Sequence, residues 1–397
     1  MLQVVSLPGK GRGYVATTDV PAGVQVHVSE PLATTVSEEW MPETCLWCFD
    51  FVYPKKQKVR AVTPEQEKEL KSKWKLLGQG KRSLFKNNYF CSEECKSLYD
   101  PLEFEQLMVL SSKIDYESLE TEKKASEIED LDNAKEMESK GGDTCLLDDD
   151  NSIKIGDDDS LRYWLNDAWD ALTENLELYK YISDTEKTMC RLIASCLIRK
   201  YCNNDNQQQK IGFDQLFQIQ NNELSYFKSC YNKTKLPKPN KKINNKKLYL
   251  KYIPQEILHV MKIYCFFTRA TSSILPIDHT AFRDIYFRER SNSFGLWEKS
   301  NDSEDVTDDL ELLGWGIYPS AVYFNHSCDA NIIKKRQGRQ MVFVTRSMIE
   351  KGQEACISYG NVDADLKTRR ARLYENYNFV CQCTRCTHEE IIASLTR

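Results

Sequence analysis

Apolar and polar residues alternate at both ends of this chain and recur at helical spacing in its middle. Within residues 1–36, Val24-Gln25-Val26-His27-Val28 has the period of two of a half-buried strand, behind the turn signal Pro21-Ala22-Gly23. Residues 64–76, rich in Glu, Lys and Leu, predict a helix. From 160 to 201 Leu161, Trp164, Leu165, Ala168, Trp169 and Leu172 return every three or four residues, and further helices are predicted over 213–231 and 254–274. After Asp284 the strand pattern resumes, with Gln340-Met341-Val342-Phe343-Val344-Thr345 and Glu354-Ala355-Cys356-Ile357-Ser358, before a helix over 363–376. No internal repeat is visible. β-rich ends around a helical middle predict that the ends pair into one β fold and that the middle is an insertion, an α+β architecture.

Two segments break the pattern. Residues 117–159 lose their aromatics and gain dense charge, including Asp148-Asp149-Asp150 and Asp157-Asp158-Asp159, which predicts a partly helical, partly disordered acidic connection. A basic, Asn-rich stretch runs from Lys235 through Lys241 and Lys242 to Lys247. It reads as a solvated loop, with phosphate or acidic-protein contact and a nuclear address as alternatives.

Composition narrows the classes. The 397 residues, 41% hydrophobic and 11% aromatic, fit a soluble globular protein of two or three units. A formal charge of −5 gives no global field towards nucleic acid, so direct nucleic-acid binding is not expected. No segment approaches the roughly 20 apolar residues of a membrane span. The N-terminus has no basic lead and too short an apolar stretch for a signal peptide. Fifteen cysteines without such a signal predict reduced thiols, not a disulfide framework. The dispersed ones, such as Cys190, Cys196, Cys202 and Cys265, read as small buried side chains.

The grouped cysteines carry chemistry. Cys45-x2-Cys48 and Cys91-x3-Cys95 together supply four thiolates, enough for a tetrahedral structural zinc if the long intervening loop folds back. Cys381-x-Cys383-x2-Cys386 supplies three and requires a fourth donor, for which Cys328 is favoured over His388. Gly9-Lys10-Gly11-Arg12-Gly13 is a tight basic turn and not a phosphate loop, because no Gly-Lys-Ser/Thr follows at the required spacing.

Read in order, the opening glycine string, Arg290-Ser291-Asn292-Ser293-Phe294-Gly295, Tyr323-Phe324-Asn325-His326-Ser327-Cys328, Ile357-Ser358-Tyr359-Gly360 and the Cys381–Cys386 tail resemble a SET-domain protein methyltransferase of the SMYD (SET and MYND) type. Tyr89-Phe90-Cys91-Ser92-Glu93-Glu94-Cys95 resembles part of a MYND finger. The finger's second inner Cys-x2-Cys and terminal His-x3-Cys are missing, so a degenerate single-zinc finger is expected. The resemblance implies an all-β SET core carrying a MYND-like zinc insertion, a helical insertion and a zinc-bound tail. The implied segments are 1–44 and 285–365 for the core, 45–95 for the finger, 96–159 for a helical start and acidic linker, 160–284 for the helical insertion and 366–397 for the tail. Animal relatives continue into a long helical C-terminal domain. With Arg397 so soon after Cys386 the layout looks more like fungal or protist proteins of this type, and the helical insertion is expected to shape substrate entry.

The implied cofactor is S-adenosylmethionine, contacted by Lys10, Gly11, Arg12, Asn292, Asn325 and His326, with Tyr377 and Phe379 held over it by the tail. Tyr359 is the implied catalytic residue. The implied reaction is in-line methyl transfer to a lysine amine of a histone or another protein. That amine must shed its proton, whereas lysine's reference pKa is about 10.4, and an apolar channel and the sulfonium charge both push it down. The alternative is a catalytically inactive SET and zinc-finger interaction module. A monomer in the nucleus or cytoplasm is expected.

Overall fold

The alternating N-terminal segment folds as β1 (Leu2–Leu7), β2 (Gly11–Ala16), β3 (Gln25–Ser29) and β4 (Ala33–Val36). Next come β5 (Val59–Arg60), α1 (Pro64–Lys73), β6 (Tyr89–Phe90), α2 (Glu93–Ser97) and α3 (Pro101–Asp132). The middle holds β7 (Ser152–Lys154), α4 (Asp158–Thr173), α5 (Asp184–Tyr201), α6 (Glu223–Cys230), β8 (Lys235–Pro237), α7 (Asn245–Tyr252), α8 (Gln255–Thr271) and α9 (His279–Glu289). The chain closes with β9 (Ser293–Trp297), β10 (Leu312–Ile317), β11 (Asn325–His326), β12 (Ile332–Gln337), β13 (Gln340–Thr345), β14 (Cys356–Ile357), α10 (Leu366–Tyr377) and α11 (Thr384–Leu395). This computed structural model describes residues 1–75, 85, 87–132, 152–201, 212–239, 245–298 and 310–395.

The two ends pair. β10 runs antiparallel between β4 and β9, with Trp315 opposite both Thr35 and Gly295. β13 lies between β12 and β3, with Val342 opposite Val28. Gly314 makes the first of these contacts feasible, since a Cβ there would stand 2.1 Å from the Thr35 carbonyl oxygen. A short parallel pair sets Asn325 opposite Cys356 and His326 opposite Ile357, and the Ser327 amide donates to the Ile357 carbonyl at 3.0 Å. Two segments far apart in sequence are thereby placed side by side.

Two cores result. One packs Trp164, Trp169, Phe266, Phe267 and Phe282 of the middle helices and takes in Ala33 and Ile317 from the strands, with Leu32 just before β4. The other packs Phe343 and Ile357 of the strands, and Phe324 just before β11, against Phe49 and Phe90 beside the first cysteine group. Each fully buried side chain of this size contributes roughly 1.5–3 kcal/mol, so the shared residues tie the helical middle and the first cysteine group to the sheets. Arg191 of α5 is buried between Glu38 and Asp115, which spares it the penalty of an unpaired buried charge.

Several predicted elements differ in detail. The helix expected over 160–201 is two, α4 and α5, with Leu176 at φ 52° turning the chain between them. The 213–231 helix is a 3-10 turn, Phe213–Gln218, followed by α6. Strands do not resume at Asp284: Phe282, Ile285 and Tyr286 keep the helical spacing, so α9 runs on to Glu289 and the expected 284/285 boundary falls inside it. Part of the basic stretch forms β8, which pairs with β7, and part forms α7, while residues 240–244 lie outside the described residues. Of the acidic connection, α3 carries its start to Asp132, and residues 133–151 lie outside the described residues. Cys190, Cys196 and Cys265 are buried in the helical core as expected, and Cys202 lies outside the described residues. No described helix is long and apolar enough to cross a membrane.

Candidate active site

The β1–β2 hairpin turns through Gly9 and Gly11, at φ 71° and 75° in the left-handed region that favours glycine. The turn presents Lys10, whose Nζ lies 2.6 Å from Glu354 Oε2. The other oxygen of Glu354 accepts from Asn325 Nδ2 at 2.8 Å, and that amide also donates to the Arg12 carbonyl at 3.4 Å. Glu354 thus joins the hairpin to β11. Its hydrogen bond to Lys10 is the largest influence raising the lysine's pKa. Gly13 lies beneath this junction, where a Cβ would come within 2.7 Å of Asn325 Nδ2.

Beside Asn325, His326 is held at both nitrogens. Its Nδ1 accepts the Tyr359 backbone N–H at 3.1 Å, which leaves Nε2 as the donor, 3.2 Å from Cys328 Sγ. Tyr359 donates its hydroxyl to the Phe324 carbonyl at 2.9 Å. Its ring packs 4.8 Å from Tyr377 and 5.3 Å from His326. Desolvation drives the Tyr359 phenol above its ordinary pKa, so it stays protonated as a hydrogen-bond donor.

Tyr359 stands in the wall of two cavities. One, of about 760 Å³, is lined by Gly9, Lys10, Asn325, His326, Tyr359 and Phe379 among others. The second, of about 250 Å³, has Asn292, Phe294, Phe324, Lys334, Tyr359 and Tyr377 in its walls. Asn292 caps the end of α9 by donating to the Arg288 carbonyl at 2.9 Å, and it faces the smaller cavity. Gly11 and Arg12 are not among the walls of either. The Arg12 guanidinium instead reaches the Gln218 carbonyl at 2.5 Å and lies 5.0 Å from the Tyr323 ring centroid.

The grouped cysteines gather into two fours. The sulfurs of Cys45, Cys48, Cys91 and Cys95 all lie within 4.8 Å of one another, as do those of Cys328, Cys381, Cys383 and Cys386. Pairs such as Cys48–Cys91 at 3.6 Å and Cys328–Cys386 at 3.5 Å are close to the separation of about 3.8 Å implied by four Zn–S bonds of ~2.3 Å in a tetrahedron. All-thiolate donors at this spacing fit zinc, and both groups could hold it. His388 is exposed and outside the second group, where Cys328 takes the fourth position. Hydrogen bonds from Cys381 and then from His326 hold the Cys328 thiol well below its ordinary range. Hydrogen bonding to Cys48 does the same for Cys45.

Three contributors escaped the reading of the sequence. Glu354 bridges two cofactor candidates but is a lone acid before a strand. Arg369 of α10, buried and paired with Glu389 of α11 at 2.6 Å, points Nη2 at Cys386 Sγ at 3.6 Å. Lys334 lines the smaller cavity from β12. None stands in a spacing pattern that marks a site. Only the register of the folded sheets brings them in.

The sequence matches the family described as SET domain over residues 11–360. The chain belongs to this family. Among curated relatives it is 27% identical over 389 residues, 96% of this chain and 93% of the relative, to a Saccharomyces cerevisiae protein named "Potential protein lysine methyltransferase SET6". It is 37% identical over 109 residues, 28% of this chain and 24% of the relative, to a SET and MYND domain-containing protein of Dictyostelium discoideum. With the Arabidopsis thaliana protein named "Histone-lysine N-methyltransferase ASHR2" it shares 30% identity over 109 residues, 26% of this chain and 27% of the relative.

Proposed function

We propose that this chain is an S-adenosylmethionine-dependent protein-lysine N-methyltransferase of the SMYD type. The observation that carries the reading is Tyr359 standing between a large polar cavity and a small aromatic one, in a chain of the SET family. On this reading Lys10, Asn325, His326 and Phe379 hold the cofactor in the larger cavity. The smaller one takes the side chain of the target lysine between Phe294, Phe324 and Tyr377. Gly11 and Arg12 act through the hairpin's shape, and Asn292 acts from the far side of the tyrosine.

The cofactor supplies an electrophilic methyl group; the chain's own residues supply placement and dryness. Tyr359 keeps its proton and offers it in a fixed direction, with the Phe324 carbonyl beside it as an acceptor for an incoming amine. The aromatic walls exclude water and disfavour a charged ammonium, which helps the target amine to be neutral. Alignment of the two reactants is then the main source of rate.

Zinc in the two cysteine groups has a structural role on this reading. Residues 45–95 form a degenerate MYND-like finger, 366–397 a zinc-bound tail that sets Tyr377 and Phe379, and 160–284 an insertion bordering substrate entry. A cavity of about 630 Å³ between the insertion helices and the sheet shares Ser293 and Trp315 with the smaller cavity, which supports that last role. The acceptor is a lysine of a histone or another protein, met in the nucleus or cytoplasm by a monomeric enzyme.

The test is transfer of labelled methyl from S-adenosylmethionine to histones and to a whole-cell extract, wild type beside Tyr359→Phe, with cofactor binding measured by calorimetry. Labelling that collapses in the variant supports the enzyme. A zinc-loaded protein that binds no cofactor would overturn it in favour of an inactive interaction module.

A further inference from the structure

The small cavity beside Tyr359 already contains a lysine. Lys334 extends from β12 into its wall, together with Asn292, Phe294, Tyr359 and Tyr377. Its neighbour in space is a ring: Nζ lies 5.8 Å from the Phe294 centroid. No carboxylate or hydrogen-bond acceptor among the described residues pairs with its amine.

Several buried arginines have acids, Arg191 with Glu38 and Asp115, Arg283 with Glu223 and Arg369 with Glu389. Arg336 instead donates to the Trp297 and Cys48 carbonyls and Arg339 stacks on the Trp47 ring, whereas the amine of Lys334 meets the Phe294 ring in the cavity that Tyr359 lines. Lys10, on the other side of Tyr359, has Glu354. A purely structural lysine on a half-buried strand would gain by snorkelling to water or by finding an acid. Lys334 is half-buried and has no acid partner among the described residues, and its amine faces the Phe294 ring in the cavity wall.

We propose that Lys334 is a methyl acceptor of the chain's own active site, an internal substrate in the position that a target lysine takes. The proposal rests on the methyltransferase reading. In the step, the lone pair of the neutral Nζ forms a bond to the methyl carbon of S-adenosylmethionine. The carbon–sulfur bond breaks with its electron pair passing to sulfur, giving S-adenosylhomocysteine and a methylammonium on Lys334. The amine's proton leaves to solvent beforehand. Desolvation alone lowers the pKa of Lys334 to about 8, so a substantial share of the amine is neutral near physiological pH. A methylated Lys334 is bulkier and stays cationic, so the modification alters the cavity that a second protein's lysine must enter.

The test uses the full-length, zinc-loaded protein with deuteromethyl S-adenosylmethionine, peptide mapping by mass spectrometry, calorimetric cofactor binding and an extract as competing substrate. The expected result is label on the Lys334 peptide at a rate unchanged on dilution of the protein, and its loss in a Tyr359→Phe chain that still binds cofactor. Independently of any turnover, reductive ¹³C-methylation followed by NMR titration should return a Lys334 amine that titrates well below the other lysines. A protein that labels extract proteins while leaving Lys334 unmodified overturns this inference and spares the methyltransferase reading. Label on Lys334 that slows on dilution overturns it too, since the acceptor is then another molecule. Failure to bind cofactor removes the reading and the inference together.

Discussion

The two four-cysteine groups have the same donors and nearly the same sulfur spacing, yet they are attached to different things. The tail group reaches the candidate catalytic tyrosine in two hydrogen bonds: His326 Nε2 donates to Cys328 Sγ, and the Tyr359 backbone N–H donates to His326 Nδ1. It also anchors α10 to α11 through Arg369, and with them Tyr377 and Phe379 beside the cavities. The Cys45–Cys95 group meets the strands through Arg336, which donates to the Cys48 carbonyl at 3.1 Å, and through Arg339, stacked 3.9 Å from the Trp47 ring centroid. That second chain of contacts meets the smaller cavity at Trp297, whose carbonyl accepts from Arg336 at 2.9 Å, and does not include Tyr359. A metal site's influence is set by what its ligands are bonded to, not by the metal.

The comparison can be broken most directly at Cys328. Cys328→Ser is expected to lose the tail zinc and methyl transfer together, by about 100-fold or more, because the ligand and the partner of His326 go at once; metal content and labelled-methyl assays read both. Retained transfer with one zinc would show that the tail is only an anchor. Tyr359→Phe should cost about 10²–10³ in transfer, the usual loss for one positioned donor, while both zincs and cofactor binding persist. That separates chemistry from scaffolding.

Cys48→Ser is the counterpart in the Cys45–Cys95 group. It should release one zinc and lower Tm by several degrees, at roughly 2–4 °C per kcal/mol for larger domains, with kcat within a few-fold of wild type. A kinetic collapse here would erase the difference between the groups. The smallest effect concerns pH. Burial pushes the Glu289 carboxyl at the end of α9 up to about 7 from 4.5. The unfolded chain then binds fewer protons than the folded one across that window, so this group's stabilisation is complete below about 4.5 and is lost as pH rises towards 7. Thiolate zinc sites respond with the opposite sign, weakening as pH falls. Glu289→Gln should remove the first trend, worth at most on the order of 3 kcal/mol, and leave the second, as denaturant titrations at several pH values would show.

Much of the site was legible because its signals are local. The spacing of Cys45-x2-Cys48 and Cys381-x-Cys383-x2-Cys386 is a ligand geometry written along the chain, and both groups assemble among the described residues. Three thiolates demand a fourth donor, and the preference for Cys328 over His388 followed from the resemblance to SMYD-type proteins. Helices failed where the apolar period bridged a turn, as at Leu176, or outran a guessed boundary, as in α9. Glu354 and Arg369 carry no pattern, because each acts on a partner that sequence distance hides.

By itself, then, the sequence determined the alternating ends, the helical middle, the cysteine donors and the Asn325-His326 and Tyr359 segments, all of which depend on neighbours along the chain. Tertiary structure alone decided that β11 lies beside β14, that Glu354 links Lys10 to Asn325, and that Lys334 turns into the aromatic cavity. In Ile332-Ile333-Lys334-Lys335 two apolar residues precede two lysines, so no alternation marks which face is inward. The register of β12 against β13 chose Lys334, and register is a property of the paired strands.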